Sequence, residues 1–240
     1  HGNCAADLPP ERFVVFSQNH DQVGNRLLGE RSSALLPFEA LKLLAASTLL
    51  SPYIPLLFMG EEYGEPAPFL YFISHSDENL IEAVRKGRRE EFAAFQWEGE
   101  IPDPQDEATF LRSRIDPRLC ESGHRKTLLA FYRELLLLRK DHPVLSWLSK
   151  EDMEVMAFES ERVLFVRRWK ESGQTAMVIL FGSAPVSLAL PLPPGRWEKL
   201  VDSSEDRWGG TGPSSPESLR SHGSVALPLT PKSLVLFSKT

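Results

Sequence analysis

Gln18, Asn19, His20, Asp21, Gln22, Asn25 and Arg26 crowd into nine positions directly after the apolar run at 13–16, with Gly24 among them. Amides donate and accept, an imidazole donates, a carboxylate accepts strongly and a guanidinium donates in a fixed fork. Such a set suits a ligand built of hydroxyl groups. His20 and Asp21 are the candidate reactive pair. The structural alternative makes Asp21 a loop cap, His20 a satisfied histidine, the amides turn formers and Arg26 an ordinary ion-pair partner.

The elements that position these residues follow from periodicity. Residues 13–16 read as a short buried strand, and a buried parallel strand ending in polar chemistry is where α/β enzymes place their sites. Pro37 opens a helix as its first residue, and Phe38, Leu41, Leu44, Ala45, Thr48 and Leu49 form its apolar face until Ser51 and Pro52 stop it. Residues 54–59 form a second apolar run, ending in Gly60-Glu61-Glu62-Tyr63-Gly64. Strand, polar loop, helix, strand and polar loop make a βαβ unit, so both loops are expected to face one pocket.

Further along, Ser76 or Asp77 caps a helix carrying Ile81, Val84, Arg88, Phe92 and Phe95, with Gly87 tolerated inside it. Residues 101–106 read as a loop, and 124–140 as a helix ended by His142 and Pro143. The pattern then changes to short runs at 155–158, 163–169, 175–181, 186–192, 196–201, 225–229 and 233–238, separated by Gly, Pro and Ser. That spacing predicts an antiparallel sandwich or barrel. The domains are therefore 1–150 and 151–240, with 202–223 as a mobile surface loop. Trp97, Trp147, Trp169, Trp197 and Trp208 are assigned to core or interface packing, and one of Phe69, Tyr71 and Phe72 to a ligand-facing position.

Composition narrows the function classes. A net charge of −6 gives no footing for nucleic acid. Cys4 and Cys120 have neither disulfide-framework nor zinc-ligand spacing, which fits a reducing cytoplasm. No apolar stretch approaches the roughly 18 residues of a spanning helix, so no membrane partner is expected.

The stretch FVVFSQNHDQVGNR resembles a conserved part of the α-amylase superfamily of glycoside hydrolases, which carries Asn-His-Asp at a barrel strand end. HDQVGNR, PLLFMGEEYGE, PFLYF, GRREEFAAF and PDPQDEATFLRS, in that order, narrow the resemblance to the malto-oligosyltrehalose trehalohydrolase family over residues 11 to about 145. The tail is similar to the β domain that closes such enzymes. The resemblance implies an α/β fold: the last two βα units of a (β/α)8 TIM barrel, then an all-β C-terminal sandwich domain.

It also implies retaining hydrolysis of the α-1,4 bond next to the terminal trehalose unit of malto-oligosyltrehalose or a related α-glucan. No cofactor is implied, and no oxygen-ligand cluster points to a metal. Asp21 corresponds to the carboxylate that stabilises the transition state, with Gln18, Asn19, His20, Gln22, Asn25 and Arg26 binding substrate. An oxocarbenium-like transition state flattens the ring and moves its hydroxyls, so a fixed carboxylate grips it more tightly than the ground state. Glu61 and Glu62 correspond to a non-catalytic stretch. No strand end here resembles the family's nucleophile or general acid, so the expected partner is the missing N-terminal part of the barrel, and the fragment alone is expected to be inactive. The rival readings are a glycogen branching or debranching enzyme and a non-catalytic α-glucan-binding or chain-pairing module.

Overall fold

The computed structural model describes residues 5–94 and 101–240. β1 (Val14–Val15) lies parallel to β2 (Ile54–Pro55), with α1 (His20–Gly24), α2 (Ser32–Leu35) and α3 (Phe38–Leu49) between them in the chain. The Ile54 N–H donates to Phe13 O at 3.0 Å and the Leu56 N–H to Val15 O at 2.9 Å. Pro55, between them, points its missing N–H away from β1, so the ladder loses nothing there.

This ladder is shorter than the apolar runs that predicted it, with two residues on each side. Nor is it buried: Val14 is 54% and Ile54 38% exposed. Each strand has one hydrogen-bonded neighbour among the described residues, which leaves the outer edges and their apolar side chains facing solvent.

Pro37 is the N-cap of α3 rather than its first helical residue, with ψ 158°. The helix buries Leu43, Ala46 and Leu49 against α6 (Gly123–Asp141), which contributes Leu128, Phe131, Tyr132 and Leu135. Arg139 of α6 closes the end of α3: its Nη1 donates to the carbonyls of Leu49 at 2.8 Å and Ser51 at 2.6 Å, and its Nη2 to Tyr53 O at 2.5 Å. Those carbonyls otherwise have no intrahelical partner. Between the two helices, α4 (Glu78–Ala94) is capped by Asp77, whose Oδ1 accepts from the Asn79 N–H at 2.9 Å. α1, α2 and α5 (Glu107–Arg112) are helices beyond those that periodicity showed, since four to six residues are too few to display a repeat. Phe95 and Trp97 lie outside the described residues.

From Met153 the regular structure is strand, apart from one 3-10 turn at Asp206–Trp208. β3 (Met153–Phe158), β4 (Val163–Lys170), β5 (Gly173–Leu180), β6 (Val186–Leu190), β7 (Gly195–Asp202), β8 (Ser218–Ser221), β9 (Val225–Leu229) and β10 (Ser233–Lys239) pair antiparallel throughout. Six of them form one sheet in the order β3-β4-β5-β10-β7-β8, and β6 pairs with β9. The large sheet is a middle layer. Met177, Ile179, Leu234 and Leu236 face α3 and α6, whereas Ala176, Val178, Leu180, Val235 and Phe237 face the β6–β9 pair. Burial on both faces explains why β5 and β10 read as continuous apolar runs.

The segment 202–223 is not the loose surface loop that its Gly, Ser and Pro content predicted. It carries β8 and buries Asp202, Ser203, Ser204, Trp208, Ser215, Leu219 and Ser221. Trp208 packs edge-on to Phe131 of α6 at 5.3 Å, and Lys42 of α3 donates to Ser203 O at 2.5 Å and Trp208 O at 3.1 Å. One tryptophan and one buried ammonium therefore hold the segment on the helices. Trp197 is fully buried as assigned, but Trp147 is 43% exposed, its Nε1 donating to Asp152 Oδ2 at 3.0 Å.

Candidate functional site

β1 delivers the chain to Gln18, and α1 begins two residues later because Asn19 caps it twice over. Asn19 Oδ1 accepts from the Asp21 N–H at 2.8 Å and the Gln22 N–H at 3.3 Å, and Gln22 Oε1 accepts from the Asn19 N–H at 2.9 Å. This reciprocal box satisfies donors that a helix start leaves open. The side-chain amino groups of Asn19 and Gln22 remain without a partner among the described residues. The cap fixes where His20 and Asp21 point: their side chains lie side by side, Nε2 to Oδ1 3.3 Å, each 69% exposed. Asn25 closes the turn as its C-cap and is also exposed.

Gln18 and Arg26 are placed differently from these five. Gln18 is 5% exposed, and its amide is spent on protein: Oε1 accepts from the Ser32 N–H at 3.0 Å and the Ser32 hydroxyl at 3.1 Å, and Nε2 donates to Glu61 Oε2 at 3.4 Å. Arg26 pairs with Glu30, four residues on, at 3.2 Å, so in this structure its guanidinium is engaged in the ion pair that was one of its two expected roles. The structure thus gathers Asn19, His20, Asp21, Gln22 and Asn25 on one solvent-facing turn, with Gln18 behind it and Arg26 at its side.

The second polar loop meets the first from beneath. Gly60 (φ 86°) and Gly64 (φ 70°) bracket the turn Glu61–Tyr63, and a Cβ on Gly60 would lie 2.7 Å from the Cβ of Glu65. Glu61 is 6% exposed, and burial pushes its carboxyl up to about 7 despite hydrogen bonds from Gln18 and Tyr132. The cavity bordered by Ser17, Gln18, Glu61 and Tyr132 measures about 10 Å³. That is no more than one water needs. The two loops do converge, as the βαβ reading predicts, but Glu61 is sealed below the turn instead of opening beside Asp21.

Sequence reasoning missed the residues that brace this loop. Glu65, 1% exposed, accepts from the Tyr63 hydroxyl at 2.9 Å and from the N–H groups of Ala67 at 2.9 Å and Asp116 at 2.8 Å. Arg31, equally buried, donates to Met59 O and Ala67 O, both at 2.7 Å, and lies 4.7 Å over the ring of Phe58. Both sit in polar stretches without period, so the only available signal was a long charged side chain beside a Gly-bounded turn. Phe69 is half-buried, edge-on to Phe58 at 5.3 Å, while Tyr71 and Phe72 are 42% and 36% exposed.

Among the described residues, no three or more His, Cys, Asp or Glu side chains gather as metal ligands do, and no helix is long and apolar enough to cross a membrane.

No family model matches the chain. It is 42% identical over 183 residues to malto-oligosyltrehalose trehalohydrolase of Rhizobium sp. (strain M-11), covering 76% of this chain and 30% of that protein. The protein of the same name from Saccharolobus solfataricus is 46% identical over 142 residues, 59% of this chain and 23% of its own length. That from Deinococcus radiodurans is 36% identical over 218 residues, covering 88% and 36%. The crystal structure of a putative α-amylase from Salmonella typhimurium superimposes with a TM-score of 0.77 at 37% identity, over 98% of this chain and 36% of that one. An α-amylase from H. orenii shares the fold, with a TM-score of 0.54 at 17% identity over 95% of this chain and 40% of that one. The chain spans about a third of the length of the curated relatives it matches. It is thus a homologue of malto-oligosyltrehalose trehalohydrolase, within the α-amylase superfamily of glycoside hydrolases, and corresponds to a C-terminal portion of that protein.

Proposed function

We propose that this chain supplies the last two βα units of a (β/α)8 barrel, residues 1–150, and an all-β closing domain, residues 151–240, to a retaining α-glucan hydrolase. In this reading the enzyme cleaves the α-1,4 bond next to the terminal trehalose unit of malto-oligosyltrehalose and releases trehalose in the cytoplasm. The observation that carries it is the His20–Asp21 pair, 3.3 Å apart and 69% exposed on each side, on a doubly capped turn at the end of a parallel strand.

Asp21 accepts hydroxyl hydrogen bonds from the sugar at the cleavage point, and these strengthen as the ring flattens. His20 donates to the same sugar, and the free amino groups of Asn19 and Gln22 with the Asn25 side chain extend the hydroxyl contacts. Gln18 and Arg26 act through the turn by holding it. The nucleophile that attacks the anomeric carbon and the acid that protonates the departing oxygen come from barrel sequence outside these 240 residues, so the chain alone is inactive. The shared name of the relatives supports this reading, as does the 37% identity to a solved putative α-amylase.

The test joins the upstream part of the Rhizobium relative to this chain and follows products from malto-oligosyltrehalose. Trehalose is the expected product. New α-1,6 linkages without trehalose would instead favour a branching enzyme.

A further inference from the structure

Arg125, in the first turn of α6, is half-buried, and its side chain makes no hydrogen bond or ion pair with any other described residue. Its Nε is shut off from solvent as well. The buried cations Arg31, Lys42 and Arg168, and Arg139 of α6, are treated differently, since each donates to backbone carbonyls. A guanidinium that is partly desolvated and unpaired is unfavourable, and an anion that binds it relieves that penalty.

Arg125 borders a cleft of about 240 Å³ where α2, α3 and α6 converge on the turn after β2. They meet at Gly64: a Cβ there would lie 3.4 Å from Leu128 Cδ2, 3.7 Å from Ser33 Cβ and 3.8 Å from Leu41 Cδ1. Phe38 extends this apolar wall, and His124 packs on its ring with centroids 4.7 Å apart. The two hydroxyls of the cleft already donate elsewhere, Tyr63 to Glu65 Oε2 at 2.9 Å and Ser33 to Glu65 O at 2.6 Å. Among the described residues, no Asp or Glu lines it. A guanidinium and an imidazole beside an apolar wall therefore remain for a ligand. A carboxylate takes two parallel bonds from a guanidinium, and an apolar body attached to it covers the wall. A neutral sugar would leave the charge uncompensated, and an inorganic anion would leave the wall wet. The cleft is smaller than the roughly 300–1,000 Å³ of drug-sized sites, which limits the occupant to about one ring.

We infer that this cleft binds a small organic carboxylate, with its head group on Arg125 and His124 and its apolar body against Phe38, Leu41 and Leu128. The ligand class follows from the cleft alone and stands whether or not the chain serves a glucan hydrolase. Benzoate is titrated into this chain and followed by NMR of the histidine and aromatic ring signals, with benzamide as the uncharged ring and acetate as the charge without a ring. Benzoate is expected to shift the His124 and Phe38 signals, and benzamide and acetate to bind at least about tenfold more weakly. Arg125→Gln is expected to weaken benzoate by at least about tenfold without lowering the melting temperature, because the guanidinium has no protein partner to lose. Arg125→Lys keeps the charge but not the fork, and is expected to fall between the two. No benzoate binding, equal binding of benzamide or acetate, or benzoate affinity unchanged in folded Arg125→Gln overturns the site. A melting temperature lowered by Arg125→Gln would show the guanidinium already paired and overturns it too. So does benzoate binding that disappears in the fusion to the upstream barrel, since that barrel then covers the cleft.

Discussion

Gln18 donates through Nε2 to Glu61 Oε2 at 3.4 Å, linking the residue that follows β1 to the turn that follows β2. The contact makes the candidate turn sensitive to a buried carboxyl. Burial raises Glu61 from an ordinary 4.5 to about 7. Between these values the folded chain keeps a proton that the unfolded chain has lost, so stability falls as pH rises through this window. The loss is on the order of a few kcal/mol in all and is complete above the folded value. Thermal melts from pH 4 to 8 are expected to show this decline in the wild type and a flatter profile in Glu61→Gln; parallel profiles would remove Glu61 as its source.

Trp208→Ala is expected to cost about 3–5 kcal/mol, because the indole is buried against Phe131 and its backbone carbonyl receives the Lys42 ammonium. Chemical denaturation measures this directly. A loss below about 1 kcal/mol would mean that segment 202–223 contributes little to holding the sheet on the helices.

Gly29 has φ 59°, and a Cβ there would lie 2.5 Å from the Phe69 carbonyl oxygen, whose own N–H donates back to Gly29 O at 2.8 Å. Gly29→Ala is therefore expected to destabilise by at least about 2 kcal/mol, from left-handed strain plus the clash. An unchanged melting temperature would contradict the packing of 68–72 against the turn.

Asn19→Ala removes the cap oxygen of α1 and is expected to cost about 1 kcal/mol. In a completed barrel its effect on trehalose release should exceed its effect on stability, since the cap sets where Asp21 points. Equal effects would make Asn19 a stability residue only.

Much of this architecture was legible in the sequence because its causes are local. The α3 and α6 stripes, the seven strand runs after residue 150 and the Asp77 cap each follow from periodicity or turn chemistry. What was not legible depends on contacts distant in the chain. Trp208 and Lys42 lie 166 positions apart, so nothing within 202–223 reveals that α3 holds it down. Gln18 looked like a sugar ligand because its neighbours do. Only the fold shows that Ser32 and Glu61 use its amide. The strand pair came out short because an apolar run predicts burial, while length and burial also depend on neighbouring strands.

The central claim is that Asp21 is one carboxylate of a catalytic set completed by upstream barrel sequence. The measurement is trehalose release from malto-oligosyltrehalose by this chain alone, by the chain joined to the upstream part of the Rhizobium relative, and by that fusion carrying Asp21→Asn. The account predicts no release by the chain alone, release by the fusion, and a loss of about 10²–10³-fold or more with the substitution. Release by the chain alone, or a fusion indifferent to Asp21→Asn, would contradict it.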